Sequence, residues 1–366
     1  MKPISEIGAA VVGTGFIGVV HVEALRRLGV QVHGVVGSSH ERAAARSREL
    51  GLPPAYESFQ AMLDDRRVDV VHITSPNHLH HDQAKAALQA GKHVVCEKPL
   101  TTTSAESADL LAAAEKSGLV HAVNFNLRYY PVNQHARGLI AEGALGDIRL
   151  ATGRYLQDWL LLDTDWNWRL DPELGGALRT VGDIGSHWMD MTAFLTGKRI
   201  ESVMADLATF IKTRRGREIR TEDAATILLR FEGGARGAFA VSQVSAGRKN
   251  SFQYEIGGSV SSVAWDQERP NELWIGHRGR PNELLLRDPA IMNELGRKAA
   301  YLPGGHAEGF ADTFKALYAA VYGAVADSGP NPREGYPTFA DGHGSMLACE
   351  AVLRSSREGR WVEVER

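Results

Sequence analysis

The chain has 366 residues, with 44 acidic side chains against 41 basic ones and 43% hydrophobic residues. At more than twice the ~150-residue domain prior, it should form two domains with full cores. The near-neutral balance excludes a disordered chain and argues against a nucleic-acid partner, and only two cysteines, Cys96 and Cys349, exclude a disulfide scaffold.

The first segment, 1–128, alternates apolar runs with helical patterns. Strands are expected at 7–12, 30–36, 68–73, 93–96 and 119–123. Helices are expected after Gly18 through Leu28 and at 40–50, 82–90 and 104–116, with Ser104 as a cap and Gly91 and Gly118 past two helix ends. Strand–helix units with runs buried on both faces read as a parallel, doubly wound α/β sheet. From 129 to 366 the rhythm changes to longer alternating stretches at 150–156, 202–211, 225–231, 235–244, 251–256 and 261–265. These predict a large antiparallel or mixed sheet, with helices near 182–195, 307–325 and 339–356. All seven tryptophans lie beyond residue 150, four of them between Trp159 and Trp188, so the two segments are built for different tasks. No basic leader with an apolar core follows Met1, and no apolar run approaches the ~20 residues of a membrane helix. The expectation is a cytoplasmic protein with no membrane partner.

Gly13-Thr14-Gly15-Phe16-Ile17-Gly18 follows the first strand and opens a helix. The first glycine permits the turn, the second lets backbone approach a pyrophosphate, and the third packs helix on strand. An NAD-preferring fold places a carboxylate at the end of the second strand, but Gly37 stands there. Ser38, Ser39 and Arg42 follow, and nothing repels a 2′-phosphate, so the cofactor is NAD or NADP. Arg42 equally suits an exposed helix face.

Glu97-Lys98-Pro99 follows the fourth strand, whose carboxyl end opens on the ligand crevice of such sheets. Far along the chain, Asp183 and His187 are i,i+4 neighbours if a helix runs through them. A histidine can take a hydroxyl proton near neutrality, and a carboxylate can orient it. No clustered Cys/His pattern accompanies the histidines, and no metal is expected.

Together these residues, with Ser75-Pro76-Asn77-His78-Leu79-His80, resemble the Gfo/Idh/MocA family of nicotinamide-dependent sugar and cyclitol oxidoreductases. The resemblance implies a Rossmann domain followed by an α/β domain with an open, mostly antiparallel sheet, whose last segment is able to pack back on the first domain. It implies catalysis by Lys98, Asp183 and His187 beside the nicotinamide, and cofactor contacts from the glycine loop, Ser75, Pro76, Asn77, His80, Glu97, Lys98 and Asn126. It also implies a homodimer or homotetramer through the C-terminal sheet. Tyr155, Gln157, Asp158, Trp168, Arg169 and Arg179 combine aromatic faces with planar polar groups, as sugar sites do, and join Lys98, Asp183 and His187 as expected substrate contacts. Two other functions fit the family: a glycosidase that uses bound NAD for transient oxidation, and a dinucleotide-sensing regulator without catalysis.

Overall fold

The computed structural model describes residues 2–327 and 335–365. Two compact units emerge, Met1–Asn126 with Ala311–His343, and Leu127–Phe310 with Gly344–Arg366.

The first unit holds strands β1 (Gly8–Val12), β2 (Gln31–Val36), β3 (Val70–Ile73), β4 (His93–Cys96) and β5 (His121–Val123). They form a parallel sheet in the order β2-β1-β3-β4-β5. Helices α1 (Phe16–Arg27), α2 (His40–Glu49), α3 (Phe59–Asp64), α4 (His80–Gln89) and α5 (Ser104–Ser117) connect them. Every residue of β1, β3 and the apolar part of β4 is buried, which explains their unbroken apolar runs. The order reverses between β1 and β3, so the loops after these two strands flank the switch point where such sheets bind ligands. Thr103, not Ser104, caps α5: its side chain accepts from the Glu106 amide while Glu106 reaches back to the Thr103 amide. Thr103→Ala is expected to cost about 1 kcal/mol in denaturant unfolding, the usual loss for a helix cap.

The second unit carries a nine-stranded sheet with β6 (Ile148–Leu156) at its centre. On one side lie β11 (Arg236–Ser242), β10 (Ala224–Phe231), β7 (Ile200–Ala208) and β16 (Val362–Glu363). On the other lie β12 (Ser251–Gly258), β13 (Ser261–Asp266), β14 (Glu272–His277) and β15 (Glu283–Leu286). All neighbours are antiparallel except β6 and β11, which run parallel. A two-stranded ribbon, β8 (Thr213–Arg214) with β9 (Arg217–Glu218), stands apart. The helices here are α6 (Pro131–Ala141), α7 (Pro172–Gly175), α8 (Ser186–Thr196) and α9 (Glu294–Ala299). The chain then runs through α10 (Phe310–Ala326) and α11 (Phe339–Glu358).

In β10, Ala225, Ile227, Leu229 and Phe231 point into the core, and the residues between them face outward. Helix α8 is seated on the sheet by Trp188, which stacks on Phe239 at 4.2 Å and donates from Nε1 to the Gln253 carbonyl. Gly153 makes room for it, since a Cβ there would lie 2.4 Å from the indole nitrogen. Cys96 and Cys349 are buried free thiols. Among the described residues, no helix is long and apolar enough to cross a membrane.

Candidate active site

The glycine loop fits a pyrophosphate. Gly13 has φ +113, and a Cβ there would lie 2.4 Å from Thr74 Oγ1, while a Cβ on Gly18 would lie 2.2 Å from the Gly13 carbonyl oxygen. Both positions exclude side chains because the turn packs on the end of β3. Gly15 instead faces open space and starts α1 without a side-chain cap, so its amide-lined N-terminus is available to an anion. Phe16 is 76% exposed at that mouth, and Ile17 is half-buried beside it. Arg46, not singled out in the sequence, steadies the loop by donating from Nε to the Thr14 carbonyl at 3.2 Å.

At the end of β2, Ser39 caps α2 by accepting from the Arg42 amide. Arg42 Nη1 lies 3.4 Å from Ser38 Oγ, and both side chains are exposed. No carboxylate takes the Gly37 position, where a Cβ would press on Ala43 at 3.2 Å.

After β3, Ser75 donates to Gln83, and Pro76 leads into a 3₁₀ turn holding the buried Asn77. His80 is fully buried, with Nδ1 2.9 Å from the Pro99 carbonyl and Nε2 2.9 Å from the Ser75 carbonyl. It clamps the loops after β3 and β4 to each other. The Lys98–Pro99 bond is cis. Glu97 is buried and receives His21, Asn124 and the Lys98 amide, so its carboxylate is committed inside the unit. Asn126 is also buried and donates to Thr313.

In the second unit, Asp183 sits in a π-helical turn, Val181–Gly185, that runs into α8. The Ser186 hydroxyl occupies the Gly182 carbonyl, so the Ser186 amide bonds one residue further back, to Val181. This corrects the regular i,i+4 geometry expected for Asp183 and His187. Asp183 accepts from Gln243 Nε2 at 2.8 Å and pairs with Arg169 Nε at 3.3 Å. The Arg169 guanidinium lies 4.4 Å over the Trp168 ring. His187 is buried, with its ring centroid 6.3 Å from that of Tyr155. Asn250 collects Tyr155 Oη and Gln157 Nε2, each at 2.8 Å, on one oxygen, and Gln157 accepts from Trp159. Burial, with the Asp183 charge second, pushes the Tyr155 phenol well up, so it remains a donor.

Tyr155 and Gln157, joined through Asn250 with the His187 ring beside Tyr155, and Trp168, Arg169 and Asp183, joined to Gln243, form the two parts of a wall in which the Asp183 charge bears on Tyr155. Two residues picked with them do different work. Arg179 is fully buried, and its Nε and Nη2 donate to the Glu222 carbonyl and Asp223. Asp158 is held by Lys249 and the Gly247 amide, which together lower its pKa. Gln243 and Asn250, the hubs of the wall, carry no motif and were not anticipated.

A glycine-cradled helix N-terminus at the switch point of a parallel sheet, followed by a unit with an open, mostly antiparallel sheet, defines a two-domain dinucleotide-dependent oxidoreductase. Residues 7–125 match the Gfo/Idh/MocA oxidoreductase family with its NAD-binding Rossmann fold, and residues 133–264 match that family's C-terminal domain. Levoglucosan dehydrogenase of Pseudarthrobacter phenanthrenivorans is 30% identical, covering 99% of both chains. The 1,5-anhydro-D-fructose reductase of Ensifer adhaerens is 34% identical over 98% of this chain and 97% of that one. A levoglucosan dehydrogenase structure in complex with NADH and levoglucosan superimposes with TM-score 0.91 at 29% identity, covering 98% of this chain and all of that one. The chain belongs to the Gfo/Idh/MocA family and is an NAD-linked oxidoreductase.

Proposed function

We propose that the protein transfers a hydride between a secondary hydroxyl of a sugar, glycoside, anhydrosugar or cyclitol and a nicotinamide dinucleotide. The observation that carries this reading is the wall in which Tyr155, beside the His187 ring, shares Asn250 with Gln157 while Arg169 over Trp168 pairs with Asp183, joining aromatic surface to fixed polar groups. The residues of the glycine loop fit the dinucleotide, which when bound supplies the hydride acceptor.

In the oxidative direction, His187 accepts the proton of the substrate hydroxyl. Lys98 hydrogen-bonds the same oxygen and stabilises its developing negative charge. Asp183, held by Gln243 and Arg169, orients the substrate and the base. Reduction runs these steps backwards. The test is nicotinamide absorbance with NAD and NADP separately, against levoglucosan, 1,5-anhydro-D-fructose, simple glycosides and inositols. Turnover of at least one is expected. Release of product sugar without net nicotinamide reduction would replace this reading with a glycosidase, and silence across the panel would remove it.

The cofactor reading extends to NADP. Gly37 offers no carboxylate against a 2′-phosphate, and Ser38 with Arg42 offers a hydroxyl beside a cation. A charge-assisted contact of this kind is worth about 1.5–3 kcal/mol. Arg42→Ala is therefore expected to raise the NADPH Kd about tenfold or more and leave the NADH Kd within about twofold, as read by nucleotide fluorescence titration. Equal effects on both would assign Arg42 to the helix surface.

The outward face of the nine-stranded sheet supports self-association. Leu150, Leu228, Leu284 and Leu286 are exposed at the outward positions of β6, β10 and β15. A homodimer or homotetramer would cover them.

A further inference from the structure

The first unit contains a buried hydrogen-bonded network that the reaction as described does not use. Glu97 Oε1 lies 3.0 Å from His21 Nε2, His21 Nδ1 lies 3.0 Å from His72 Nδ1, and His72 Nε2 lies 2.9 Å from the Tyr322 hydroxyl. Both imidazoles are fully buried. A second arm reaches the same carboxylate oxygen: the Tyr318 hydroxyl donates to Asn124 Oδ1 at 3.4 Å, and Asn124 Nδ2 donates to Glu97 Oε1. Tyr318 and Tyr322 lie one turn apart on α10.

The proton positions follow from the partners. Among the described residues, His72 is the hydrogen-bond partner of the Tyr322 hydroxyl, so that buried hydroxyl must donate to it. His72 Nε2 then accepts, His72 Nδ1–H donates to His21 Nδ1, and His21 Nε2–H donates to Glu97. Burial holds His72 well below the ordinary imidazole range, in keeping with a neutral ring. Burial opposes the Glu97 charge as well, but His21, with Lys98 and Asn124, outweighs it and holds the carboxyl below its usual value. Every donor in both arms is directed toward one carboxylate. The other oxygen, Oε2, accepts the backbone amide of Lys98 at 3.2 Å.

We propose that Glu97 is a positioning residue for Lys98: two tyrosine-headed hydrogen-bond arms fix its carboxylate, and that carboxylate fixes the backbone from which Lys98 reaches the substrate. This rests on the catalytic reading of Lys98. Glu97→Gln keeps the shape but sets an NH₂ group against either the Lys98 amide or the His21 and Asn124 donors. Tyr322→Phe removes one hydroxyl at the far end of an arm and tests the same connection with little risk to folding.

The experiment is a double-mutant cycle on the panel substrate turned over fastest, with NADH binding followed by fluorescence. Glu97→Gln is expected to lower kcat about tenfold or more, with substrate KM and NADH Kd within about twofold, because misplacement of a catalytic group acts on the chemical step. In a Lys98→Ala background the same change should lower kcat less than about twofold, because the group it positions is already gone. Glu97→Asp should recover part of the loss. Selective ¹⁵N-histidine NMR should show His72 as the neutral Nδ1–H tautomer, and Tyr322→Phe should disturb that signature and lower kcat in the same Lys98-dependent way. Equal losses with and without Lys98, or His72 in the Nε2–H tautomer, would overturn the proposal and leave the hydride-transfer reading intact. Wild-type turnover by Lys98→Ala, or silence of the wild type on every panel substrate, would remove that reading and this proposal with it.

Discussion

Lys98→Ala and His187→Ala are each expected to lower turnover by about 10²–10⁴, the range spanned by the loss of a positioned acid–base group or of a donor to a developing oxyanion. The two losses should differ in kind. Without His187 the hydroxyl proton has no acceptor, so kcat should recover when a small exogenous base such as imidazole is added. Without Lys98 the oxygen keeps its base but loses the stabilising donor, and added base should not help. NADH Kd should stay within about twofold in His187→Ala, since the glycine loop that grips the pyrophosphate lies on another element, between β1 and α1. The measurement is single-turnover nicotinamide absorbance at saturating cofactor. Wild-type rates in both variants would end the assignment of these residues, whatever the substrate.

The parts of the molecule visible in the sequence are those encoded locally. The run at 7–12 with its three glycines declares β1 and the start of α1 because burial on both faces needs an unbroken apolar strand and the turn excludes Cβ atoms. The strands at 224–231 and 236–242 declare themselves by alternation, since one face is core and the other is not. Strands β14 and β15 escaped because Gly276 interrupts the first and three successive leucines hide the period of the second. Helix α6, which opens on Pro131 as its first residue, is not among the helices expected from the sequence. Of the residues proposed for catalysis, Lys98 and His187 stand out in the sequence as motif members. Asn250 and Gln243 do not, because their roles arise from pairings far apart in sequence: Ser251 opposite Leu156 brings Asn250 to Tyr155 and Gln157, and the Gln243 amide bonds the Asp223 carbonyl. Arg179 shows the converse limit. A guanidinium near a sugar-like cluster looks like a ligand group until its counter-charge, forty-four positions away, is located.

That counter-charge carries the largest expected effect on stability. Asp223 Oδ1 pairs with both Arg179 and Arg214, all three side chains being fully buried, and Oδ2 accepts the Phe210 and Ile211 amides at 2.7 and 2.8 Å. Arg214 in turn donates to the Leu160 and Leu162 carbonyls, which lie between the wall residues Gln157 and Trp168. Removing the carboxylate leaves two cations in a low-dielectric interior and frees two backbone amides, and breaking even one buried pair typically costs about 3–5 kcal/mol. Asp223→Ala is expected to lose at least that much in denaturant unfolding, or to fail to fold. Asp223→Asn, which retains the shape and part of the hydrogen bonding, should still lose about 2–4 kcal/mol. The pH dependence has a definite sign. Burial opposes the Asp223 charge, but the Ile211 amide and the Arg179 guanidinium outweigh it and lower the carboxyl pKa. A carboxyl lowered on folding contributes its stability above the unfolded value, about 4, and loses it as pH falls through the folded one. Neighbouring Glu222 runs the other way: burial raises its pKa against the Val181 and Arg179 amides, so its contribution falls as pH rises above the unfolded value. The acid-side decline in wild-type stability should therefore be shallower in Asp223→Asn, while any decline on the Glu222 side persists. A variant as stable as the wild type, with an unchanged acid limb, would show that the two arginines do not depend on Asp223 for their charge balance.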